Sequence, residues 1–407
     1  MVAKLHKDRT MRAGKLLHNL IKNTCKRIDK RIQGTLFEAA EALTRCKSLS
    51  ILGLGRALSS KALVKHNIKR IDRLVGNKRL HKDSHEIYRG LSNLLLNKNQ
   101  NPIIVVDWSG LTRCGAYHVL RASVAVGGRA LTLYDQAYKL KDYTSEKTHR
   151  KFLKKLKAIL PLGCHPIIVT DAGFRNTWFK AVERNGWDFV GRIRHRTKYK
   201  YVTDKTWEPI KNLYAQAIKK ASFLGEVFLA KSSAMRCYIY IKGRDKKYRE
   251  RRNLAGKKLQ CSVSKKHEKR CQEPWLIATS LAPDKYAAES IMQIYQKRMQ
   301  IEESFRDLKN THYGFSLRHC RSYQVDRLNT LLLIAALAML ILWILGTAVK
   351  QKGLHYSFQA NTEKRRNVLS NFMIGWQLLI RDELHLKKKE LLNAIDIIIL
   401  SACGEIK

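Results

Sequence analysis

The chain has 407 residues and a mass of 47.0 kDa, room for two to four domains at roughly 100–200 residues each. With 45% hydrophobic residues it can bury real cores, which excludes a largely disordered chain. Lysine and arginine number 79 against 33 acids, a net charge of +46, so the expected partner is a polyanion. Nine cysteines without a Cys-x-x-Cys pair provide neither a disulfide framework nor a zinc ribbon and suit a reducing, cytoplasmic compartment. Met1 to Leu20 is basic and lacks an apolar run, so no secretory signal is expected there.

From Leu5 to about Asn97 the text reads as helix, with no proline and apolar residues at spacings of three and four, as in Leu36, Ala39, Ala40 and Leu43. Within it, residues 50–76 read as helix, tight turn, helix. The second helix, taken from Lys61, is expected to show Lys61, Lys65, Lys69, Arg70 and Arg73 outward and Leu63, Val64, Ile68, Ile71 and Leu74 inward, the form of a helix-turn-helix DNA reader. An ordinary basic helix on a bundle is the plainer alternative. Residues 1–98 are accordingly read as a helical DNA-binding region.

At Asn101-Pro102 the period changes. Ile103 to Asp107 is a β-branched run ending in an acid, of the kind buried on both faces of a sheet. His118 to Val126 and Ala130 to Tyr138 are two further strands joined at Gly127-Gly128, a pair suited to a hairpin turn. An amphipathic helix over Lys151 to Leu160 precedes a second apolar strand ending in an acid, Pro166 to Asp171. A helix from Asn176 to Arg184 and a strand from Trp187 to Ile193 follow. Three strands, helix, strand, helix, strand is the order of a ribonuclease-H-like core. The expected fold class is α/β, a mixed five-stranded sheet with helices on both faces, its first part over 99–194.

Residues 195–272 hold 22 Lys or Arg against 6 acids and alternating pieces at Ser222 to Leu229 and Met235 to Ile241, read as a basic β-rich insertion facing nucleic acid. Its densest run is Lys242 to Arg252. Glu273 to Ser280 resumes a strand. The second part of the core is expected over 273–350, and a helical C-terminal region over 351–407. Leu331 to Val349 is nineteen residues without a charge, long enough to span a membrane. Lys and Arg on both sides and a mean hydropathy of −0.34 favour a buried core helix, with no membrane partner.

Asp107 and Asp171 end two apolar strands, where loops leave room for an ion. Paired carboxylates there suit hard cations such as Mg²⁺ or Mn²⁺, although a lone acid after a strand is commonly a helix cap. A second constellation runs through Tyr295, Arg298, Glu302 and Lys309, offset by 3, 7 and 14. On one continuous helix over 286–309 these fall at roughly 0°, 300°, 340° and 320°, a narrow stripe about 21 Å long. Ile294, Ile301, Phe305 and Leu308 lie directly beside it. Glu303 points about 100° away from Glu302, off the stripe. A row of surface ion pairs would satisfy part of the same spacing. Cys261, His267 and Cys271, with Cys237, fit no common zinc spacing, and no phosphate-cradling Gly-rich loop occurs.

Tyr-x2-Arg-x3-Glu-x6-Lys resembles the signature of the insertion sequence four family of bacterial DDE transposases. Similarity to its insertion sequence ten branch runs through Lys65 to Leu74, Val106 to Ser109, Ser123 to Ala125, Asp171 to Phe174 and Arg298 to Glu303. The resemblance implies that Asp107, Asp171 and Glu302 form a catalytic triad holding two Mg²⁺ ions. It implies that Tyr295, Arg298 and Lys309 hold phosphates at a transposon end, and that Trp275 is a platform for a base turned out of the stack. Arg192 and Arg194 are further candidate phosphate contacts. The implied activity is cut-and-paste transposition of a bacterial insertion sequence: nicking, hairpin formation and resolution, and joining to target DNA. The implied partners are the terminal inverted repeats, target DNA and a second copy of the chain, for which the Lys-rich tail Lys387 to Leu392 is a candidate contact by position. The rival readings are a metal-dependent nuclease that never joins strands and a DNA-binding relic that never cuts.

Overall fold

In this computed structural model the described residues are 13–97, 99–194, 197–243, 260–262, 264, 273–363, 366–381 and 386–404. Residues 244–252 of the basic run, and His267 and Cys271 of the zinc candidates, lie outside them. The chain divides into two compact units, residues 1–166 with 299–407, and residues 167–298. The cuts fall inside the expected catalytic core and not at the ends of the basic insertion.

The first unit begins with helices. After a helical stretch over 13–21 come α1 (Lys30–Cys46), α2 (Ile51–Ala57), α3 (Val64–Val75) and α4 (Lys78–Leu96). Side chains open three of them: Asp29 accepts from the Arg31 N–H, Ser50 from Gly53 and Asn77 from Leu80, filling donors that a first turn leaves unpaired. The apolar seam of α1 is buried, with Leu36, Ala39, Ala40 and Leu43 fully enclosed.

β1 (Ile103–Gly110), β2 (Tyr117–Val126) and β3 (Arg129–Lys139) follow in the expected order and pair antiparallel, Asp107 opposite Arg121 and Val126 opposite Arg129. Gly127 and Gly128 turn the β2–β3 hairpin with φ of 45° and 88°, values that only glycine adopts at little steric cost. On β2 and β3, Arg121 donates from Nε to Asp135 Oδ1 (2.7 Å) and from Nη2 to Oδ2 (2.6 Å), with both side chains out of solvent. α5 (Glu146–Ile159) completes this part.

The rest of the first unit is helical: α8 (Met299–Lys309), α9 (Val325–Gln351), α10 (Asn371–Ile380) and α11 (Lys388–Cys403), the labels α6 and α7 belonging to the second unit. α9 is long and apolar enough to cross a membrane, yet its most apolar 18-residue window is entirely buried. It packs against α1, α4, α10, α11 and β3. A helix apolar all round needs neighbours all round, and this one has them.

The second unit holds β4 (Ile167–Thr170), α6 (Asn176–Glu183), β5 (Asp188–Arg192), β6 (Lys198–Tyr201), β7 (Glu208–Pro209), β8 (Ser222–Leu229), β9 (Met235–Lys242), β10 (Trp275–Thr279) and α7 (Ala288–Gln296). Its strand order is β4-β5-β10-β9-β8-β6-β7, with β4 and β5 parallel and the other pairs antiparallel. The sheet runs past the five strands expected, because β6 to β9 extend it outward from β10, while β8 and β9 fall on the strands expected within 195–272. Tyr240 and Ile241 of β9 are as buried as Leu276 and Ile277 of β10. Burial of shared apolar surface makes the continuation favourable.

The helix expected over 286–309 is broken. α7 ends at Gln296, Lys297 and Arg298 form a turn, and α8 restarts at Met299. Tyr295 is in the last turn of α7, Arg298 is in the break, and Glu302 and Lys309 are on α8. The single stripe expected of one straight helix therefore does not exist. Ile294 of α7 is buried, as are Ile301, Phe305 and Leu308 of α8.

Candidate active site

In the first unit the site is built on β1. Successive strand residues alternate faces, and Asp107 and Ser109 point to the side of α8, where Lys309 Nζ donates to Ser109 Oγ. Asp107 is half-buried, and its Oδ1 accepts the Trp108 backbone N–H at 2.8 Å. The cross-strand neighbour Arg121 is committed to Asp135 and lies over the Phe305 ring at 4.9 Å.

Lys309 is held down to about 8, first by burial and then by Arg318 and Arg121, against which Asp107 pulls upward. A lysine in that range holds its charge at neutral pH and gives it up readily.

What holds Glu302 is the anchoring of α8. Ile301, Phe305 and Leu308 face the core, Ser304 Oγ donates to the Ala130 carbonyl (2.6 Å) and accepts the Ala130 N–H (3.0 Å), and Arg129 Nε donates to Asp307 at 3.0 Å. Glu302 is left exposed in the first turn, where a carboxylate complements the helix dipole. Glu303 pairs with Arg306 (2.6 Å) and Arg129 (3.6 Å), which gives it a structural occupation distinct from its neighbour's.

The second unit carries Asp171 in the loop after β4, half-buried. Its Oδ1 accepts the Gly173 N–H at 2.8 Å. Tyr295 is 4% exposed, and burial pushes its phenol up, opposed by the positive charges of Arg298 and Arg192 and reinforced by Asp171. Trp275 opens β10, half-exposed, its ring edge-on to Tyr295 with centroids 5.1 Å apart. Arg192 is buried and donates to the carbonyls of Glu273 (3.2 Å) and Pro274 (3.1 Å), and Arg194 pairs with Glu273 at 2.8 Å. Both arginines thus have protein partners at the end of β5.

These two arginines also line a groove of about 1290 Å³, together with Arg175, Lys198, Lys211 and Lys231. Its wall starts at Ala172, next to Asp171, and among the described residues that line it there is no carboxylate. The volume exceeds the roughly 300–1,000 Å³ usual for small-molecule pockets, and the lining suits an extended polyanion. Sequence reasoning singled out neither Arg175 nor these lysines; the basic excess of residues 195–272 was a signal for the lysines, and nothing marked Arg175.

In the N-terminal helices the expected outer face is partly corrected. Lys61 lies in the turn before α3 and not on it. Leu63 and Val64, expected inward, are 64% and 51% exposed, because the helix begins only at Val64 and these residues precede its packed turns. Lys61, Lys65 and Arg73 are exposed. Lys69 pairs with Asp72 (3.4 Å) and Arg70 with Glu38 (2.7 Å). Arg327 of α9 donates to Asp72 at 2.6 Å, holding that carboxyl below its ordinary value and fixing α3 to the core.

The three acids divide between the units, Asp107 and Glu302 in the first and Asp171 in the second. Among the described residues no group of three or more His, Cys, Asp or Glu is gathered so as to hold a metal ion. Cys237 is buried and Cys261 is exposed, and among the described residues no disulfide joins two cysteines.

The transposase DDE domain family matches residues 98–341, 244 of the 407 residues, and the chain belongs to that family. Among curated proteins no sequence matches it significantly. The matched segment runs from just before β1 into α9 and contains Asp107, Asp171, Trp275, Tyr295, Arg298, Glu302 and Lys309.

Proposed function

We propose that this DDE transposase moves a bacterial insertion sequence by cut and paste, in the manner implied by its resemblance to the insertion sequence four family and its insertion sequence ten branch. The observation that carries the reading is Asp107 within β1, three residues before its end, with the motif lysine, Lys309, placed against the same strand, inside the segment that matches the family.

Asp107, Asp171 and Glu302 are the residues that would hold Mg²⁺, or Mn²⁺ in its place. Carboxylate oxygens suit hard cations, and in both aspartates a backbone N–H orients one oxygen of the carboxylate. When two such ions are bound they supply activation of the attacking hydroxyl and stabilisation of the leaving oxygen. The chain's own residues do the rest. Arg298 can grip a phosphate with two parallel hydrogen bonds, whereas Lys309 acts as a point charge. Tyr295, buried beside Arg298, holds that arginine in place. Trp275 presents an indole on which a base turned out of the duplex can stack, worth about 1–3 kcal/mol.

The groove beside Asp171 attracts the DNA backbone, and its cations account for part of the net charge. The N-terminal helices recognise the terminal repeats, with Lys61, Lys65 and Arg73 toward the phosphates and with Lys69 and Arg70 reaching DNA beside their acidic partners. Cutting two ends together requires two copies of the chain, for which α11 and the Lys387 to Leu392 segment offer a contact. The test is incubation with a labelled candidate terminal repeat, with Mg²⁺ or with EDTA. Nicked, hairpin and joined products that need the metal are expected; nicking without joining of a precleaved end would point to a nuclease, and binding alone to a relic.

A further inference from the structure

Trp108 follows Asp107 on β1 and so points to the opposite face of the sheet, toward α5. There its indole Nε1–H donates to Nε2 of His149 at 3.1 Å. The ring is also closed in by Tyr138 and Tyr143, edge-on with centroids at 5.4 and 5.1 Å. His149 is 4% exposed, and burial lowers its imidazole to about 4. Nε2 accepts a hydrogen bond only in the neutral ring with its proton on Nδ1, the state that burial favours.

The other end of Trp108 touches the candidate catalytic acid. Its backbone N–H is the donor that orients Asp107 Oδ1. One residue therefore carries two bonds, a ring bond to a buried acceptor and a main-chain bond to the carboxylate. We propose that His149 is a positioning residue, which through Trp108 fixes the direction in which Asp107 presents its carboxylate to a divalent cation. Asp171 is oriented by the Gly173 N–H of its own loop. The inference rests on the reading of Asp107 as an ion ligand and adds a residue that no motif contains.

Removing a hydrogen-bonding group behind a metal ligand typically costs about 10–100-fold in metal affinity. The test compares His149→Phe, which keeps a ring and removes the acceptor, His149→Gln, which restores one, and Trp108→Phe, which removes the donor. The full-length chain is titrated with Mn²⁺ by calorimetry, with the Trp108 indole N–H resonance as a direct report on the bond. His149→Phe and Trp108→Phe are each expected to weaken Mn²⁺ binding roughly tenfold, and the double variant to be no worse than either single one, since both remove the same bond. His149→Gln should recover most of that affinity and return the indole resonance toward its original position.

Unchanged Mn²⁺ affinity in Trp108→Phe, or in a folded His149→Phe whose indole resonance has moved, would overturn the proposal and leave the pair as packing. So would a His149→Gln protein with the indole bond restored and Mn²⁺ affinity still weakened. Should His149→Phe fail to fold, Trp108→Phe and His149→Gln still decide. Asp107→Asn is the control: if it too leaves Mn²⁺ binding intact, it is the assignment of Asp107 as a ligand that has failed.

Discussion

The two units hold their acids by different means. In the first, Asp107 lies on a strand paired to β2, whose Arg121 is locked to Asp135, and Glu302 lies on a helix pinned to the β2–β3 hairpin through Ser304 and Asp307. In the second, Asp171 lies in a loop, held by the N–H of Gly173, and next to it begins a groove lined by six cations. The first is organised by buried hydrogen bonds and packing, the second by a loop and a basic groove in which Arg175, Lys198, Lys211 and Lys231 are exposed and Arg192 is buried. The carboxylates of the first unit thus sit on a strand and an anchored helix, and that of the second sits in a loop beside a basic groove.

The largest effect expected comes from the acids themselves. Asp107→Asn, Asp171→Asn and Glu302→Gln should each abolish cleavage and joining while binding of end DNA persists, measured by gel assays for product and by mobility shift. Appreciable cleavage by any one of them removes that acid from the proposed triad.

Next is the rigidity of the first unit. Asp135→Asn leaves the Arg121 guanidinium buried without its counter-charge, a change that costs about 3–5 kcal/mol when one partner of a buried pair is removed. Denaturant melts should show that destabilisation. A stability like that of the parent would mean that the pair contributes little to holding β2 and β3 together.

Lys309 provides a sharper, pH-dependent test. With its pKa lowered to about 8, its positive charge is present below that pH and is lost as pH rises through it. Affinity for end DNA should therefore fall between about pH 7 and 9 in the parent, and stay flatter in Lys309→Arg, since arginine remains charged. By linkage, the unfolded lysine binds a proton between about 8 and its ordinary value of 10.5 where the folded one does not, so this group's contribution to stability rises over that window. Parallel pH curves for the two proteins would show that the lysine does not touch the DNA.

The smallest effects belong to single cations on the basic surfaces. Lys198→Ala, Lys211→Ala or Lys231→Ala in the groove, and Lys61→Ala or Lys65→Ala before and on α3, should each flatten the salt dependence of DNA binding. The expected change in the log–log slope is about 0.9 for each phosphate no longer neutralised. Lys69→Ala and Arg70→Ala are expected to do less, because each is paired with an acid of the chain. An unchanged slope across a whole set would remove that surface from the interface.

Much of this was legible in advance, for particular reasons. The runs ending at Asp107 and Asp171 are short, apolar and β-branched, and the Gly127-Gly128 turn permits one sharp reversal, so the order from β1 to β5 could be read directly. The apolar seam through Ile294, Ile301, Phe305 and Leu308 is a burial pattern, and burial is what it specified. The break at Lys297-Arg298 was hidden because no glycine or proline marks it and the apolar period runs straight through. Leu63 and Val64 misled for a related reason: apolar residues at helical spacing look inward-facing until the first turn of the helix is located.

The information carried by the chain's order of residues is therefore local: which segments are apolar on which period, which strands end in acids, and how much positive charge must be carried. The partnerships between residues far apart in the chain came from the packed molecule alone: Trp108 with His149, Arg121 with Asp135, Ser304 with the Ala130 backbone, Arg327 with Asp72. Periodicity reports the face on which a side chain lies, set by backbone geometry over a few residues. A buried hydrogen bond or ion pair depends on where another segment places its complementary atom, and that is settled only when the segments pack.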